Sequence, residues 1–299
     1  MVLLKLVFLH FQNLKQKIQM RKALLLLVAF SSIGFAQETS NDTVKHWTRK
    51  GVFTLLANQS SFSNWQAGGQ NNFAGNLGMN YDFNYKNGDW NWDNKWIVSY
   101  GLTKIKGAET QKTDDRIELN SLLGKRATGE WFYSAFFNFK TQMDTGLDPD
   151  TQSFKISHFF SPAYFQFGPG MLWKKSDNLK VNFAPATSKL IMVHKHFTDL
   201  GSSFGVEQGD TSRYELGAAI NGYYKFNIME NVSVENTLNL YSNYLEEAQN
   251  VDIDYQLNIV MKINKYLSTN FAFQALYDDN AFKGFQTKQV IGVGVNYGF

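Results

Sequence analysis

FAGNLGMNYDFNYKNGDWNWDNKWIVSYGL, residues 73–102, is the stretch that decides the fold. Between 73 and 85 the odd positions are mostly apolar or aromatic and the even positions are small or polar. Successive side chains of a strand point to opposite faces, so this period of two predicts a strand with one apolar face. The pair Asn87-Gly88 suits a tight hairpin turn, and 90–102 alternates again. The stretch therefore predicts a hairpin of two long strands.

The same period recurs along the rest of the chain. Clear alternation is present at 73–85, 90–102, 213–226, 232–244, 251–263, 267–277 and 288–299. Weaker alternation marks Gly51–Gln59, Arg116–Lys125, Trp131–Thr141, Phe159–Trp173 and Leu179–Val193. These segments together predict twelve strands.

The predicted links between the strands alternate in length. Long or medium links are expected at 60–72, 104–115, 142–158, 194–212, 245–250 and 278–287, and short ones at 86–89, 126–130, 174–178, 227–231 and 264–266. Outer-membrane barrels have this rhythm, because their periplasmic turns are short and their extracellular loops are long. An even number of strands also returns both ends of the chain to the periplasm.

Two all-β architectures compete for this pattern. A soluble sandwich would turn the apolar faces inward, and it would need polar outer faces and room for an aromatic content of 16%. A transmembrane barrel turns them to the lipid and closes its ladder, because a bilayer offers no partner to backbone groups. Predicted strands of about 10–13 residues exceed the usual 5–6 of soluble sheets. Aromatic residues near strand ends also suit an interfacial girdle; they are Trp90, Trp92, Trp131, Trp173, Tyr244, Tyr277 and Tyr297. We therefore expect a single closed antiparallel up-and-down transmembrane β-barrel of about 12 strands over residues 48–299.

The N-terminal region carries the features of an export signal. Met20-Arg21-Lys22 is a positive start, residues 23–33 form an apolar core, and small residues precede a cleavage position between Ala36 and Gln37. Residues 1–36 are thus interpreted as a signal peptide with a mis-assigned upstream start, the true start being Met20. Residues 37–47 are expected to be a flexible segment.

Composition excludes several classes of function. The chain has no cysteine, which excludes disulfides, thiol nucleophiles, Cys-based metal sites and a lipoprotein anchor. Of its 29 basic residues five precede residue 37, which leaves 24 against 26 acidic residues and a net charge of −2. No concentrated basic surface remains, so nucleic-acid binding is not expected.

Two motifs resemble known families. The ending Val293-Gly-Val-Asn-Tyr297-Gly-Phe299 resembles the signal that the barrel-assembly machinery of Gram-negative outer membranes recognises, with Tyr297 and Phe299 as its aromatic positions. The segment Asn58-Gln59-x-x-Phe62-x-Asn64-Trp65-x-x-Gly68-Gly69-x-Asn71, with Ser161-Pro-Ala-Tyr164 and Phe204-Gly205-Val206, resembles an outer-membrane barrel family of Bacteroidetes of unknown function. This resemblance spans nearly all of the expected mature chain and implies fold and location rather than an activity.

The face opposite the apolar one is predicted to line the lumen. Its cations would be Lys95, Arg116, Lys140, Lys180, Arg213, Lys225, Lys262 and Lys288, and its carboxylates Asp82, Asp93, Glu118, Glu215, Glu235, Asp252 and Asp254. An ion-selective pore should show a ring of one sign, whereas these charges balance and are expected to pair between strands. Inward Phe132, Phe136, Tyr223 and Tyr241 would narrow the lumen further.

Other candidate sites have weaker support. Ser–His catalysis would need an imidazole within hydrogen-bond reach of a hydroxyl; the candidates are His158 with Ser157 or Ser161, and His194 or His196 with Ser188. Asp144, Asp148 and Asp150 offer oxygens to Ca²⁺ but lack the spacing of an EF-hand. Around Asn64, Trp65, Gly68 and Gly69, either a loop folded into the mouth or a simple turn with an interfacial Trp is possible.

The leading hypothesis is a monomeric, non-enzymatic outer-membrane barrel without cofactor or metal. It would be a narrow or gated channel, or a ligand-binding barrel, for small solutes. A non-conducting structural or partner-binding envelope barrel is the alternative, and a lipid-modifying enzyme is third. The expected partners are outer-membrane lipids, lipopolysaccharide and the barrel-assembly machinery.

Overall fold

A computed structural model describes residues 46–61, 70–148, 151, 153–199, 201–280 and 282–299. Twelve strands form a closed antiparallel barrel: β1 (Trp47–Ser60), β2 (Asn72–Asn87), β3 (Trp90–Ile105), β4 (Thr110–Thr128), β5 (Trp131–Thr141), β8 (Ala163–Ser176), β9 (Leu179–Met192), β10 (Ser212–Met229), β11 (Val232–Asn243), β12 (Asp252–Lys262), β13 (Leu267–Asp278) and β14 (Phe282–Gly298). A small hairpin, β6 (Gly146–Leu147) and β7 (Lys155–Ser157), lies between β5 and β8. The predicted fold class is confirmed.

One short helix, α1 (Lys195–Thr198), follows β9. No helix in the ranges described above has the length and apolarity needed to cross a membrane.

The two ends of the barrel differ in their connections. At the end where β1 begins and β14 ends, the turn end, the links are 88–89, 129–130, 177–178, 230–231 and 263–266. At the opposite end, the loop end, the links are 61–71, 106–109, 142–162, 193–211, 244–251 and 279–281. Within the barrel, each strand pairs with the barrel strand that follows it in the chain, so that β5 pairs with β8. The pairing of β1 with β14 closes the ring.

Some predicted boundaries were wrong. The expected links 104–115 and 278–287 shorten to 106–109 and 279–281, because β4 and β14 begin earlier in polar sequence. A strand segment with polar residues on both faces shows no alternation of apolar and polar positions. Such a segment is tolerated where both faces of the barrel wall contact water. The strand predicted from Phe159 begins instead at Ala163, since Phe160 adopts a left-handed backbone with φ 61°.

The outer face of the barrel is apolar. Exposed large apolar side chains are present on most strands, including Phe53, Leu55, Leu77, Phe167, Phe183, Ile220, Ile291 and Val293. In water such a surface would be unfavourable, since soluble monomers rarely expose large continuous apolar patches. A closed ladder with an apolar outer wall is the arrangement that a bilayer requires, because all backbone groups must be satisfied internally. The chain is therefore a β-barrel of the outer-membrane type.

Aromatic rings concentrate on this wall near the turn end. Trp47 packs against Tyr85 and Trp92 with ring centroids 5.1 and 5.8 Å apart. Trp131, 47% exposed, pairs in register with Trp173. Amphipathic rings of this kind favour the boundary between hydrocarbon and headgroups.

The C-terminal residue completes the seam between β1 and β14. Gly51 N–H donates to the Phe299 carbonyl (2.8 Å), and Phe299 N–H donates to the Gly51 carbonyl (3.0 Å). The Phe299 ring then stacks on Phe53 and Tyr81 at centroid distances of 5.1 and 6.0 Å. It lies directly over Gly51, where any side chain would overlap the ring. Glycine at this position is therefore what allows the terminal ring to cover the seam.

We predict that Gly51→Ala weakens the barrel. The new methyl group must displace the Phe299 ring, and overpacking of this kind costs about 1–3 kcal/mol. The measurement is the temperature at which the folded form, which migrates differently from boiled protein in electrophoresis, is lost. Gly78→Ala is the matched control, because a Cβ there meets no atom closer than 3.8 Å. Equal temperatures for the two variants would contradict the prediction.

Candidate functional site in the barrel lumen

The charged groups of the lumen bond across the barrel. The Lys95 ammonium on β3 lies 2.6 Å from the Glu235 carboxylate on β11. In the ring of twelve strands, β3 and β11 are six positions apart in either direction, so they are diametrically opposite. Arg116 on β4 likewise donates to the Gln256 Oε1 on β12 at 3.1 Å, again between opposite strands. We call these two contacts the transverse bonds.

The transverse bonds imply an oval cross-section. Strands about 4.8 Å apart and tilted by about 40° would give a circular twelve-strand barrel roughly 24 Å across. That width exceeds the combined length of an extended Lys and an extended Glu. The walls that carry Lys95 and Glu235 must therefore approach each other, and the remaining lumen is narrow.

A first network surrounds Lys95 near the turn end. Asp93 accepts from Lys174 at 3.0 Å and from Lys180 at 2.7 Å. The Tyr223 ring lies under both Lys180 and Lys95, with the ammonium nitrogens 5.4 and 5.6 Å from its centroid. Sequence reasoning missed Lys174 because the predicted strand ended at Trp173. Lys174 has the same parity as the buried Leu172, and a strand extended by one residue would have included it.

A second network is built around Arg116. Its guanidinium contacts the Glu118 carboxylate, with Nε 2.8 Å from Oε2. Beyond the transverse bond, the Gln256 amide donates to Asp254 at 3.2 Å. Asp254 also receives Lys140 at 3.5 Å. Every charge in this network therefore has an opposite charge or an amide as its partner, as buried ions require.

A third network lies toward the loop end. Lys189 bridges Glu215 at 3.2 Å and Asp252 at 2.9 Å. Arg213 Nε lies 3.0 Å from the second oxygen of Glu215, whose side chain is 2% exposed. Lys189 was not predicted to face the lumen. Between Thr187 and Ala184 the register of β9 against β10 shifts, and this irregularity reverses which residues point inward.

An apolar cluster occupies part of the interior. Phe136, Ala184, Ala219 and Tyr241 are buried together, with Leu122 packed against them. Phe132 and Leu172, at 3% and 1% exposure, are also buried. Side chains therefore fill the lumen on one side, while the ionic networks cross what remains.

The link 193–211 packs against the loop end of the barrel. Val206, in the link 193–211, is fully buried against Ile191 and Val193, with Tyr164 and Phe204 packed alongside. Arg213 fastens the same loop through a hydrogen bond of 3.0 Å to the Gly205 carbonyl. Described residues thus make contacts at two levels of the barrel: the loop packs against strand ends at the loop end, and the transverse bonds cross the lumen farther inside.

Of the remaining predicted residues, Lys225 also belongs to the first network through Glu235, and the others lie elsewhere. Lys225 joins Glu235 at 3.3 Å, and Lys288 joins Asp114 at 2.5 Å. Lys262 is exposed at the end of β12 and has no ion-pair partner within the described ranges. The motif residues Asn64, Trp65, Gly68 and Gly69 lie outside those ranges.

The Ser–His candidates do not assemble in the described part of the chain. The Ser161 hydroxyl accepts the backbone N–H of His194, and His158 Nδ1 lies 2.8 Å from the Phe159 carbonyl. His194 Nδ1 accepts from the His196 backbone, and Ser188 contacts Tyr214. These residues stabilise loops and strand ends, and their geometry offers no activated hydroxyl.

The acidic loop residues are also used locally. Asp144 accepts from Tyr100 at 2.8 Å and Asp148 accepts from Thr151 at 2.7 Å, while Asp150 is not described. Among described residues, Asp252, Asp278 and Asp279 have carboxylate oxygens within 4.8 Å of one another. Asp252 already neutralises Lys189.

We predict that Glu215→Gln destabilises the barrel. It removes the carboxylate that Lys189 and Arg213 share, and breaking a buried ion pair from one side costs about 3–5 kcal/mol. The measurement is the free energy of unfolding in detergent, followed by tryptophan fluorescence during denaturant titration. Glu246→Gln is the control: Glu246 also contacts Arg213, but its side chain is 58% exposed, and such pairs contribute about 0–1 kcal/mol. Similar losses for both variants would show that Glu215 is not a buried partner of both cations.

Comparison with known proteins gives one family match. Residues 57–147 match the model of a family described as "Protein of unknown function (DUF3078)". The predicted resemblance to a family of unknown function is confirmed over these residues, and an origin in Bacteroidetes stays a prediction. None of the curated proteins matches the chain.

Several solved structures resemble the chain at low sequence identity, among them an autotransporter domain and two channels. The translocator domain of the autotransporter NalP from Neisseria meningitidis is 12% identical, with a TM-score of 0.35 and 94% and 95% of the two chains covered. An outer membrane channel from Pseudomonas putida F1 is 10% identical, with a TM-score of 0.39 and 87% and 99% covered. The TodX monoaromatic hydrocarbon channel, as a deletion mutant, is 11% identical, with a TM-score of 0.33 and 84% and 89% covered.

Proposed function

We propose that this barrel resides in the bacterial outer membrane as a narrow, gated passage for small solutes, closed in the conformation described here. The observation that carries the proposal is the bond between Lys95 and Glu235 on opposite strands. A polar contact in the middle of a lumen can be exchanged for water. Opening then requires side-chain motion rather than rupture of the barrel wall.

The partly hydrated state of this bond supports a gate. The side chains of Lys95 and Glu235 are 25% and 20% exposed, so water already reaches both charges. The attraction between two charges falls as the local dielectric constant rises. Water or a polar solute that enters the lumen therefore weakens the bond that closes it. Arg116 and Glu118 are more deeply buried, at 15% and 6%, and would form the tighter constriction.

The charge balance of the lumen favours small neutral or zwitterionic solutes. Both signs line the constriction within a few ångströms of each other, as at Lys95 with Glu235 and at Arg116 with Glu118. A cation or an anion that enters the lumen therefore meets a charge of its own sign at each of these two pairs. A solute with a donor and an acceptor can replace both partners of a transverse bond.

The accompanying expectations remain part of this proposal. The chain would be exported after cleavage between Ala36 and Gln37 and would act as a monomer without enzymatic activity. It would contact outer-membrane lipids and lipopolysaccharide. The ring of Phe299, with Tyr297, would be recognised by the barrel-assembly machinery before it covers the seam.

A non-conducting envelope barrel is the second candidate. The buried cluster of Phe136, Ala184, Ala219 and Tyr241 favours it, because packed apolar groups do not open by hydration. The two candidates differ in one property, the response of conductance to removal of the polar closures.

The test is ion conductance of the refolded 37–299 protein in planar bilayers. One variant, Lys95→Ser with Arg116→Ser, Glu118→Ser and Glu235→Ser, removes two charges of each sign and both transverse bonds. A second variant, Val206→Asp, places a charge in the apolar contact at the loop end. The combined variant carries the four serine substitutions together with Val206→Asp, because an ion must pass both closures in turn. We expect almost no current through the native protein, and steady current steps at least tenfold larger through the combined variant.

The control replaces four exposed charged residues outside the lumen: Lys106→Ser, Glu109→Ser, Glu230→Ser and Lys283→Ser. It has the same net charge as the fourfold lumen variant and should remain as silent as the native protein. If the folded combined variant does not conduct, the passage is wrong and the non-conducting barrel takes its place. Native current equal to that of the combined variant would show that the described contacts do not close the lumen.

A further inference from the structure

The link 142–162 leans over the outside of the barrel wall. Tyr100 faces outward, because it is paired in register with Leu77, which is 54% exposed. Its hydroxyl donates to the Asp144 carboxylate at 2.8 Å. Asp144 follows β5, so the loop must cross the outer face of β4 to reach β3.

This loop covers an ion pair that would otherwise face the lipid. Asp115 is paired in register with Tyr100 and therefore shares its outward face, and it lies 2.6 Å from Lys112. The backbone N–H groups of Met143 and Asp144 donate to the Asp115 carboxylate at 2.7 and 2.9 Å. The Asp115 side chain is consequently only 3% exposed although it lies on the outer face.

The loop itself exposes four large apolar side chains. Leu147, Phe154, Ile156 and Phe159 are 42%, 54%, 41% and 51% exposed, within thirteen residues of sequence. These four residues form what we call the hairpin surface. Exposed polar residues lie between them, among them Ser153, Lys155 and His158, whereas the buried Ser157 hydroxyl donates to Gln142 at 2.7 Å.

Aromatic packing joins the hairpin surface to the barrel wall. The Phe160 ring packs 6.0 Å from Phe139 and 5.9 Å from Phe165, two rings on the outer face of β5 and β8. Phe159 packs on Phe160 at 5.9 Å. Phe160 takes up a left-handed backbone to place its ring there, a conformation that a bulky residue adopts only when its surroundings fix it.

We propose that the hairpin surface is a membrane anchor that inserts into the outer leaflet beside the barrel. Its apolar residues join the lipid-facing wall through Phe160, and Lys112 and Asp115 beneath the loop already form an ion pair. The exposed Lys155 between these apolar residues has a long side chain that can extend to the headgroups. The hairpin surface would thus contact the lipid at the boundary between hydrocarbon and headgroups, where aromatic and aliphatic side chains are favoured. The anchor rests on the embedding of the barrel in a bilayer and does not depend on a passage through its lumen.

The test uses spin labels in the refolded 37–299 protein, which contains no native cysteine. Ile156→Cys and Phe159→Cys report on the hairpin surface in vesicles of phosphatidylcholine. Ile291→Cys, on the exposed outer face of β14, reports on the wall, and Glu109→Cys, in the exposed turn 106–109, reports on water. Each label is measured for collision with apolar oxygen and with a water-soluble nickel complex.

We expect the oxygen-to-nickel collision ratio at residues 156 and 159 to be several-fold greater than at 109 and to approach that at 291. A ratio at 156 and 159 equal to that at 109 would overturn the anchor and leave the surface open to a protein partner. A water-like ratio at 291 in folded protein would instead contradict the bilayer embedding itself. Two hairpin labels are used so that a local disturbance by one of them does not decide the result.

Discussion

The need to satisfy every backbone N–H and C=O without water is the constraint on which this structure depends. A bilayer supplies no hydrogen-bond partner, so the sheet must close. Closure leaves one pairing, β1 with β14, that local sequence cannot set. The chain completes it with its last residue, since Phe299 exchanges two backbone hydrogen bonds with Gly51 and covers the seam with its ring. The outer wall then needs mainly apolar side chains, and the charged networks are confined to the lumen, apart from the Lys112–Asp115 pair on β4 that a loop covers.

That confinement explains why the interior is ionic rather than uniformly apolar. Strands that alternate apolar and polar residues put their polar side chains inside, where charges are stable only when paired. The balanced set of cations and carboxylates meets that requirement by bonding between strands, and at Lys95 with Glu235 the bond spans the barrel. Stability and closure of the lumen are therefore properties of the same contacts. The loop 142–162 follows the same rule from outside, because its backbone N–H groups donate hydrogen bonds to Asp115 and bury the outward Lys112–Asp115 pair.

Most of the fold was predictable because successive side chains of a strand point to opposite faces, which produces a period of two in the sequence. The twelve strands and their antiparallel order followed from it. The errors arose where the alternation is weak or interrupted. These places are the polar start of β4, the irregularity near Ala184 that turns Lys189 inward, and the last residues of β8, which include Lys174. Alternation also cannot show which inward residues meet. The pairing of Lys95 with Glu235 depends on the order of the strands around the barrel and on its oval cross-section. Local sequence patterns predict neither of these properties.

The seam has a further consequence for how the barrel folds. Eleven of the twelve pairings join strands that follow each other in the ring in chain order, and most are connected by short links. Local pairings of this kind form early, since little loop entropy opposes them. The pairing of β1 with β14 instead joins residues near opposite ends of the chain. Ring closure is therefore the slow step of folding, and until it occurs both edge strands are exposed and able to pair with another chain.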